Sequence, residues 1–305
     1  MKQKKLGIAL GSGGTKAYSQ IGFLIWLFEH KINYQIVAGT SAGASIGAFA
    51  SIYENPYEIK KIYENLKNSD FLKYFKPSFG SQSFFSSDGA KLFLEEFFGG
   101  INIEDLKIKY SAIATDMNSL EEIVIKSGSL VEAIMASSAI PGLLPPIEKD
   151  GRFLMDGAIT NPVPADICFK MGAEIVLGIN VSKPIFAKRV ESKLSKLKKS
   201  KTEEWLTKKI ANPESKFLSF LEKYKNLKIK KISKRTATNL INDILPMLIS
   251  QITKLKTEKL RNFLMISPDV SEFGTFQFSA LEKLVEIGYN ETEKNKEKIF
   301  ELLEI

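Results

Sequence analysis

The stretch Gly39-Thr40-Ser41-Ala42-Gly43 constrains this chain more than any other, because it sets G-x-S-x-G between a short apolar run and a helical pattern. Upstream, Tyr34, Ile36 and Val37 read as a buried strand. Downstream, Ala44, Ile46, Ala48, Phe49 and Ile52 recur at helical intervals. A chain that turns from strand to helix in so few residues needs small side chains, so Gly39 and Gly43 would form the elbow and Ser41 would raise its hydroxyl above the sheet. The same five residues also suit a plain turn with Ser41 or Thr40 capping the helix, so the rest of the chain must decide.

A second glycine-rich turn lies one strand earlier. Leu6, Ile8 and Leu10 lead into Gly11-Ser12-Gly13-Gly14-Thr15-Lys16, and Ile21, Leu24, Ile25, Leu27 and Phe28 follow as a helix. This order turns backbone N–H groups toward an anion. A P-loop would need Gly before its Lys and Ser or Thr after it, but Thr15 and Ala17 flank Lys16. The dinucleotide fingerprint needs Gly where Lys16 stands. An oxyanion hole is the remaining use, with glycine N–H groups meeting the charge on an acyl carbonyl. Ser41 follows the very next strand, and two adjacent parallel strands would open both turns at one sheet edge.

A serine nucleophile needs a base within hydrogen-bond reach, and the chain has one histidine, His30, at the end of the first helix. The economical base is an aspartate. Arg152 to Asp156 reads as a strand ending in an acid, followed by Gly157 and Ala158, and Asp156 is the best-placed carboxylate, although Asp-Gly also makes ordinary turns. Asp116, in Asp116-Met117-Asn118-Ser119, is expected to build a turn with its side chain. No His or Cys cluster suggests a metal, and no cofactor is expected. The lone Cys168 cannot form an internal disulfide, which fits a reducing cytoplasm.

With 305 residues, 44% hydrophobic and 26% charged, the chain can bury a large core as one domain with an insertion or as two domains. Neither a signal peptide nor 18 uninterrupted apolar residues is found, so a cytoplasmic protein, peripheral at most on a membrane, is expected. The net charge of +8 is concentrated: Lys183 to Arg235 holds 18 Lys plus Arg against 5 Glu, a surplus of 13 that leaves the remainder at −5. An acidic remainder argues against nucleic acid covering the whole surface, while the basic residues 188–235 could meet anionic lipid, nucleic acid or an acidic partner, an anionic membrane surface fitting them as well as a solvated helical insertion does. Helices are expected over Ile59–Lys67, Ala90–Phe98, Leu130–Ser138 and Ala280–Leu303, and over Thr238–Phe263 with an interruption at Pro246. Strands are expected over Tyr110–Thr115, Glu122–Ile125 and Phe263–Ile266. Lys76 to Asp88 lacks a period and reads as a lid or a surface loop.

Taken together, Leu10-Gly11-Ser12-Gly13-Gly14-Thr15-Lys16, Gly39-Thr40-Ser41-Ala42-Gly43 and Asp156-Gly157-Ala158 resemble the bacterial patatin-like phospholipases in order and spacing. Ala114-Thr115-Asp116, Ala136 to Gly142, Asn161-Pro162-Val163-Pro164, Met171-Gly172-Ala173, Ile266 to Asp269 and Ile287-Gly288-Tyr289 continue the likeness. The resemblance implies a three-layer α/β/α fold with a mainly parallel sheet and a basic helical insertion. Residues 1–182 with 263–305 would form the core and 183–262 the insertion. It also implies a Ser41–Asp156 dyad, an oxyanion loop of Ser12, Gly13 and Gly14 supported by Gly11 and Lys16, and a lipid acyl ester substrate such as a phospholipid or lysophospholipid. A homo-oligomer stays open. The chain departs from the family's loop at Ser12 and Ala17, where glycine is usual, and Ser12 would suffer if that position required positive φ. The alternative is a catalytically impaired lipid-binding or scaffolding relative.

Overall fold

The structure, a computed structural model, describes residues 4–65, 86–182, 237–275 and 277–305, with side chains omitted for 237–246. The chain divides into two compact units, Met1–Lys183 with Ile249–Ile305, and Pro184–Leu248. Of the second, only the helical residues from Ala237 onward are described, so the basic segment of 188–235 and most of the Lys76–Asp88 stretch lie outside the described residues.

Among the described residues eight strands form one mixed sheet. These are β1 (Leu6–Leu10), β2 (Ile36–Thr40), β3 (Lys109–Asp116), β4 (Glu122–Ile125), β5 (Ile147–Lys149), β6 (Arg152–Asp156), β7 (Ile175–Ile179) and β8 (Phe263–Ile266). Strands β3, β2, β1, β7 and β8 run parallel in that spatial order. β1, β2 and β7 are buried along their whole length, as expected of parallel strands covered on both faces. Their side chains alternate between the covers: Leu6, Ile8 and Leu10 enter the larger core, whereas Ala9, Ile36, Ala38 and Val176 enter a smaller one.

The register at β3 sets the geometry of everything that follows. Ala112 pairs with Gly39 on one side and Ile125 on the other, so β2 and β4 occupy opposite edges of β3. Ala114 pairs with Ile123 of β4 and with Asp156 of antiparallel β6. Hence β6 lies on the same edge as β2, and the two strands meet tip to tip: Thr40 stands opposite Ile113 and Asp156 opposite its neighbour Ala114.

The larger core is covered by α1 (Tyr18–Glu29), α2 (Ala42–Ile52), α3 (Pro56–Asn65), α4 (Ser87–Phe98), α5 (Leu130–Ser137) and α8 (Leu281–Lys294), with α9 (Lys296–Leu303) at its margin. The smaller core rests on α6 (Ala165–Lys170), with Leu260 and Phe263 beside it. α1 and α8 cross in backbone contact, since a Cβ on Gly288 would fall 1.8 Å from the Ser19 carbonyl oxygen.

Two expectations about elements are corrected, and one strand has no signal in the sequence. α7 (Ala237–Thr257) continues through Pro246 and stops six residues before β8, where Asn262 takes a left-handed φ of 52°. A proline removes one backbone donor without forbidding the helix on either side. The final helix is two: Asn295 folds its amide back onto the Glu291 carbonyl at 2.8 Å and separates α8 from α9. β5, too short for a period, was not anticipated; it pairs with β6 through Ile147–Leu154 and Lys149–Arg152.

Candidate active site

Ser41 sits between β2 and α2 with φ 57° and ψ −125°. For a residue with a Cβ this conformation costs on the order of 1–3 kcal/mol and persists only where its surroundings impose it. Several contacts do so. The Ser41 N–H donates to Ser137 Oγ at 2.9 Å, and that hydroxyl donates in turn to the Ile113 carbonyl of β3 at 2.5 Å. The Ala44 N–H bonds the Ser41 carbonyl at 2.8 Å. Gly43 lets the elbow press on the glycine-rich loop, because a Cβ there would lie 2.2 Å from the Leu10 carbonyl oxygen and 2.7 Å from that of Gly11. Gly39 is similarly close to the backbone of Gly43.

The tip-to-tip meeting of β2 and β6 brings Ser41 against Asp156. Ser41 Oγ donates to Asp156 Oδ2 at 2.6 Å, and both residues are buried. The other carboxylate oxygen accepts the Ala158 N–H at 2.8 Å, in the turn opened by Gly157. Desolvation raises the Asp156 pKa to about 6, against the opposing pull of the hydrogen bonds from Ser41 and Ala158. Above that pH the carboxylate is charged and aligned to accept a proton from the serine.

The loop after β1 holds its conformation with glycine only where glycine is needed. Gly14 has φ 58°, whereas Ser12 is not among the residues of positive φ, so the departure from glycine there carries no backbone penalty. Ala17 is fully buried. The Ser12 N–H is spent on the Pro162 carbonyl at 2.9 Å, and the Gly11 N–H on Ile179 at 3.1 Å. Among the described residues the N–H groups of Gly13 and Gly14 have no backbone partner. The free amides are therefore those two, and the expectation that Ser12 offers its own is corrected: the Pro162 carbonyl, in the turn before α6, takes that donor. Lys16 is partly buried, and desolvation lowers its pKa.

An apolar cavity of about 140 Å³ opens beside the pair, lined by Ser45, Phe93, Leu94, Ile134, Met135 and Ala139 among others. Ser45 lies one helical turn beyond Ser41, and the Ala139 carbonyl accepts the Asp156 N–H at 3.0 Å. His30 is elsewhere. It caps the far end of α1, stacked on Trp26 with ring centroids 3.9 Å apart. Asp116 spends one oxygen on the Asn118 and Ser119 N–H groups and meets Arg152 with the other, the turn its sequence predicts.

Two supporting residues escaped the sequence. Ser137 lay in the Ala136–Gly142 stretch with no role attached, and two adjacent serines at the end of an apolar helix were its only signal. Asn161 accepts the Thr40 hydroxyl on its carbonyl at 2.8 Å and donates its side-chain amide to Glu122 and Asp166. Among the described residues no group of three or more His, Cys, Asp or Glu is arranged to hold a metal ion.

A sequence profile described as patatin-like phospholipase matches residues 8–169, which contain Ser41, Asp156, Gly13, Gly14 and the residues named as lining the cavity. Patatin-like phospholipase domain-containing protein 7 of Rattus norvegicus is 30% identical over 291 residues, covering 93% of this chain and 20% of that protein. An NTE family protein of Mycobacterium tuberculosis is 30% identical over 178 residues, covering 58% of this chain and 49% of its own length. Among solved structures, VipD from Legionella pneumophila aligns over the whole chain and 67% of its own, with a TM-score of 0.48 and 15% identity. This chain thus spans about a fifth of the mammalian relative it matches. Relatives in both mammals and bacteria remove the bacterial restriction from the resemblance, and the chain belongs to the patatin-like phospholipase family.

Proposed function

We propose that this protein is a lipid acyl hydrolase working through a Ser41–Asp156 dyad. Asp156 takes the Ser41 proton as Oγ attacks the ester carbonyl carbon, whose π electrons move onto its oxygen. Gly13 and Gly14 N–H groups hold that oxyanion. Collapse breaks the ester C–O bond, and Asp156 returns the proton to the departing alcohol. Water, deprotonated by the same carboxylate, then attacks the acyl-enzyme and releases the fatty acid and Ser41. The apolar cavity beside Ser45 and Ala139 takes the acyl chain. No step calls for a metal or cofactor.

The observation that carries this reading is the 2.6 Å contact between a serine held at positive φ and a buried carboxylate. The substrate class is a phospholipid or lysophospholipid, approached at a membrane surface to which the basic residues of 188–235 are drawn. Hydrolysis of a short-chain nitrophenyl ester tests the chemistry. Wild type should turn over, and Ser41→Ala and Asp156→Asn should each fall by about a thousandfold or more. Turnover unchanged in either variant refutes the dyad. A second reading, a lipid-binding relative without turnover, draws on the spent Ser12 amide, which leaves a smaller oxyanion cradle. It predicts vesicle binding by a wild type that hydrolyses no ester.

A further inference from the structure

Each peptide plane that leads into the glycine-rich loop is held by a partner outside it. The Gly11 N–H donates to Ile179 at 3.1 Å, and the Gly11 carbonyl accepts the Gln20 side-chain amide at 2.5 Å. The Ser12 N–H, in the same plane as that carbonyl, donates to Pro162 at 2.9 Å. The next plane joins Ser12 to Gly13 and carries one of the two free amides. Its carbonyl accepts the Ser182 hydroxyl at 2.8 Å, and among the described residues this plane makes no other hydrogen bond.

That single contact fixes where the Gly13 N–H points. The peptide is trans and planar, so its N–H lies opposite its carbonyl. A carbonyl held on Ser182 turns the amide hydrogen away from Ser182 and keeps it there. Little else resists rotation of this plane, because Gly13 on its far side lacks a side chain. Packing requires glycine at that place: a Cβ on Gly13 would fall 2.2 Å from Cγ2 of Val181, the residue just before Ser182. The segment after β7 is itself anchored. Asn180 donates its N–H to Ile266 of β8 at 2.9 Å and accepts the Ser182 N–H on its side chain at 2.9 Å.

We infer that Ser182 is a positioning residue for the oxyanion cradle, its hydroxyl aiming the Gly13 amide at the acyl oxygen. This rests on the hydrolase reading above and adds to it a residue beyond the family-matched span of 8–169. Ser182 touches no reacting atom and exchanges no proton. Its O–H donates to the Ser12 carbonyl, and that bond polarises the amide, so the Gly13 N–H becomes the stronger donor. Charge grows on the acyl oxygen only as Ser41 Oγ bonds the carbon, so the aim of the amide matters more to the transition state than to the bound ester. The contact therefore acts on kcat and leaves KM nearly alone.

A contact that only fastens the chain after β7 to the loop predicts something else: its loss lowers stability and spares the chemistry. Steady-state hydrolysis of nitrophenyl butyrate by the full chain, with inhibition by a trifluoromethyl ketone and thermal melting alongside, separates the two. The ketone carbon takes Ser41 Oγ into a hemiketal whose oxyanion needs the same amide, and no leaving group departs. Ser182→Ala is expected to lower kcat about tenfold, less than the roughly 100-fold that follows removal of a whole oxyanion donor, with KM within about twofold. Ki for the ketone should rise by the same factor as kcat falls. Ser182→Thr keeps a hydroxyl and should stay within about threefold of wild type in both, whereas Ser182→Val, of the same shape as Thr, should behave like Ser182→Ala. The Thr and Val pair carries the comparison should Ser182→Ala fold poorly. A kcat and Ki within about twofold of wild type in the folded hydroxyl-free variants, or a loss confined to KM, overturns this inference alone, provided Ser41→Ala is inactive. A wild type without turnover overturns it together with the hydrolase reading.

Discussion

At the scale of single residues the site is a bargain between stability and readiness. Burial makes the Asp156 charge costly, so its pKa of about 6 in the fold exceeds the reference value of 3.8. The protonated acid is the form the fold prefers. Its contribution to stability is therefore complete below about pH 3.8 and is lost as pH rises through about 6. Asp156→Asn should be close to wild type in denaturant unfolding at pH 4 and more stable by about 2–3 kcal/mol at pH 8. An equal or lower stability at pH 8 would show that the carboxylate is not strained. The same titration should make kcat/KM rise through about pH 6 to a plateau, read from a pH–rate profile. Ser137→Ala removes the acceptor that ties the Ser41 amide to β3. It should cost about tenfold in kcat and about 1–2 kcal/mol in stability, whereas a kcat like wild type would show that the elbow holds its φ unaided. The acid and the serine were legible because each ends an apolar run in a turn. Ser137 was not, because a buried hydroxyl that serves only a backbone amide leaves no pattern in sequence.

At the scale of elements, the meeting of two strands on one edge of β3 brings the Asp156 carboxylate directly to the Ser41 hydroxyl, with no third side chain between them. β2 runs up to Thr40, β6 runs down to Asp156, and their tips face adjacent β3 residues. Sequence reading supplied both strands but not their shared edge, which depends on pairing register rather than on any local period. The parallel order of β2 and β1 was legible from the two strand–turn–helix units. α7 and the α8–α9 break were misjudged because a proline's cost and an asparagine's side-chain bond depend on neighbours. Helix packing offers its own test. Alanine at Gly288 gains about 1 kcal/mol in helix propensity, but its Cβ would lie 1.8 Å from the Ser19 carbonyl oxygen. Steric conflict with backbone wins, and Gly288→Ala should lose about 3–5 kcal/mol as measured by its urea midpoint. A loss below about 1 kcal/mol would mean that α1 and α8 separate easily.

Across the whole molecule, charge and chemistry are segregated along the chain. The site lies within the family-matched residues 8–169, while the positive surplus lies in 183–235. If the basic segment serves the hydrolase, cosedimentation with anionic vesicles should exceed that with neutral ones and fall with salt, and removing 188–235 should weaken it while sparing hydrolysis of a soluble ester. Equal sedimentation with both vesicle types would deny the segment that part. Composition could show the surplus but not its target, since phosphate on a lipid and phosphate on a nucleic acid attract lysine alike. The central claim is narrower and more easily reached: a buried aspartate makes one serine nucleophilic. Labelling with a fluorophosphonate, read by mass spectrometry of the digested protein, addresses it directly. The account predicts one adduct per chain on the peptide carrying Ser41, formed rapidly in wild type and at least a hundredfold more slowly in Asp156→Asn. Label on another residue, or on Ser41 at the same rate without the carboxylate, would contradict it.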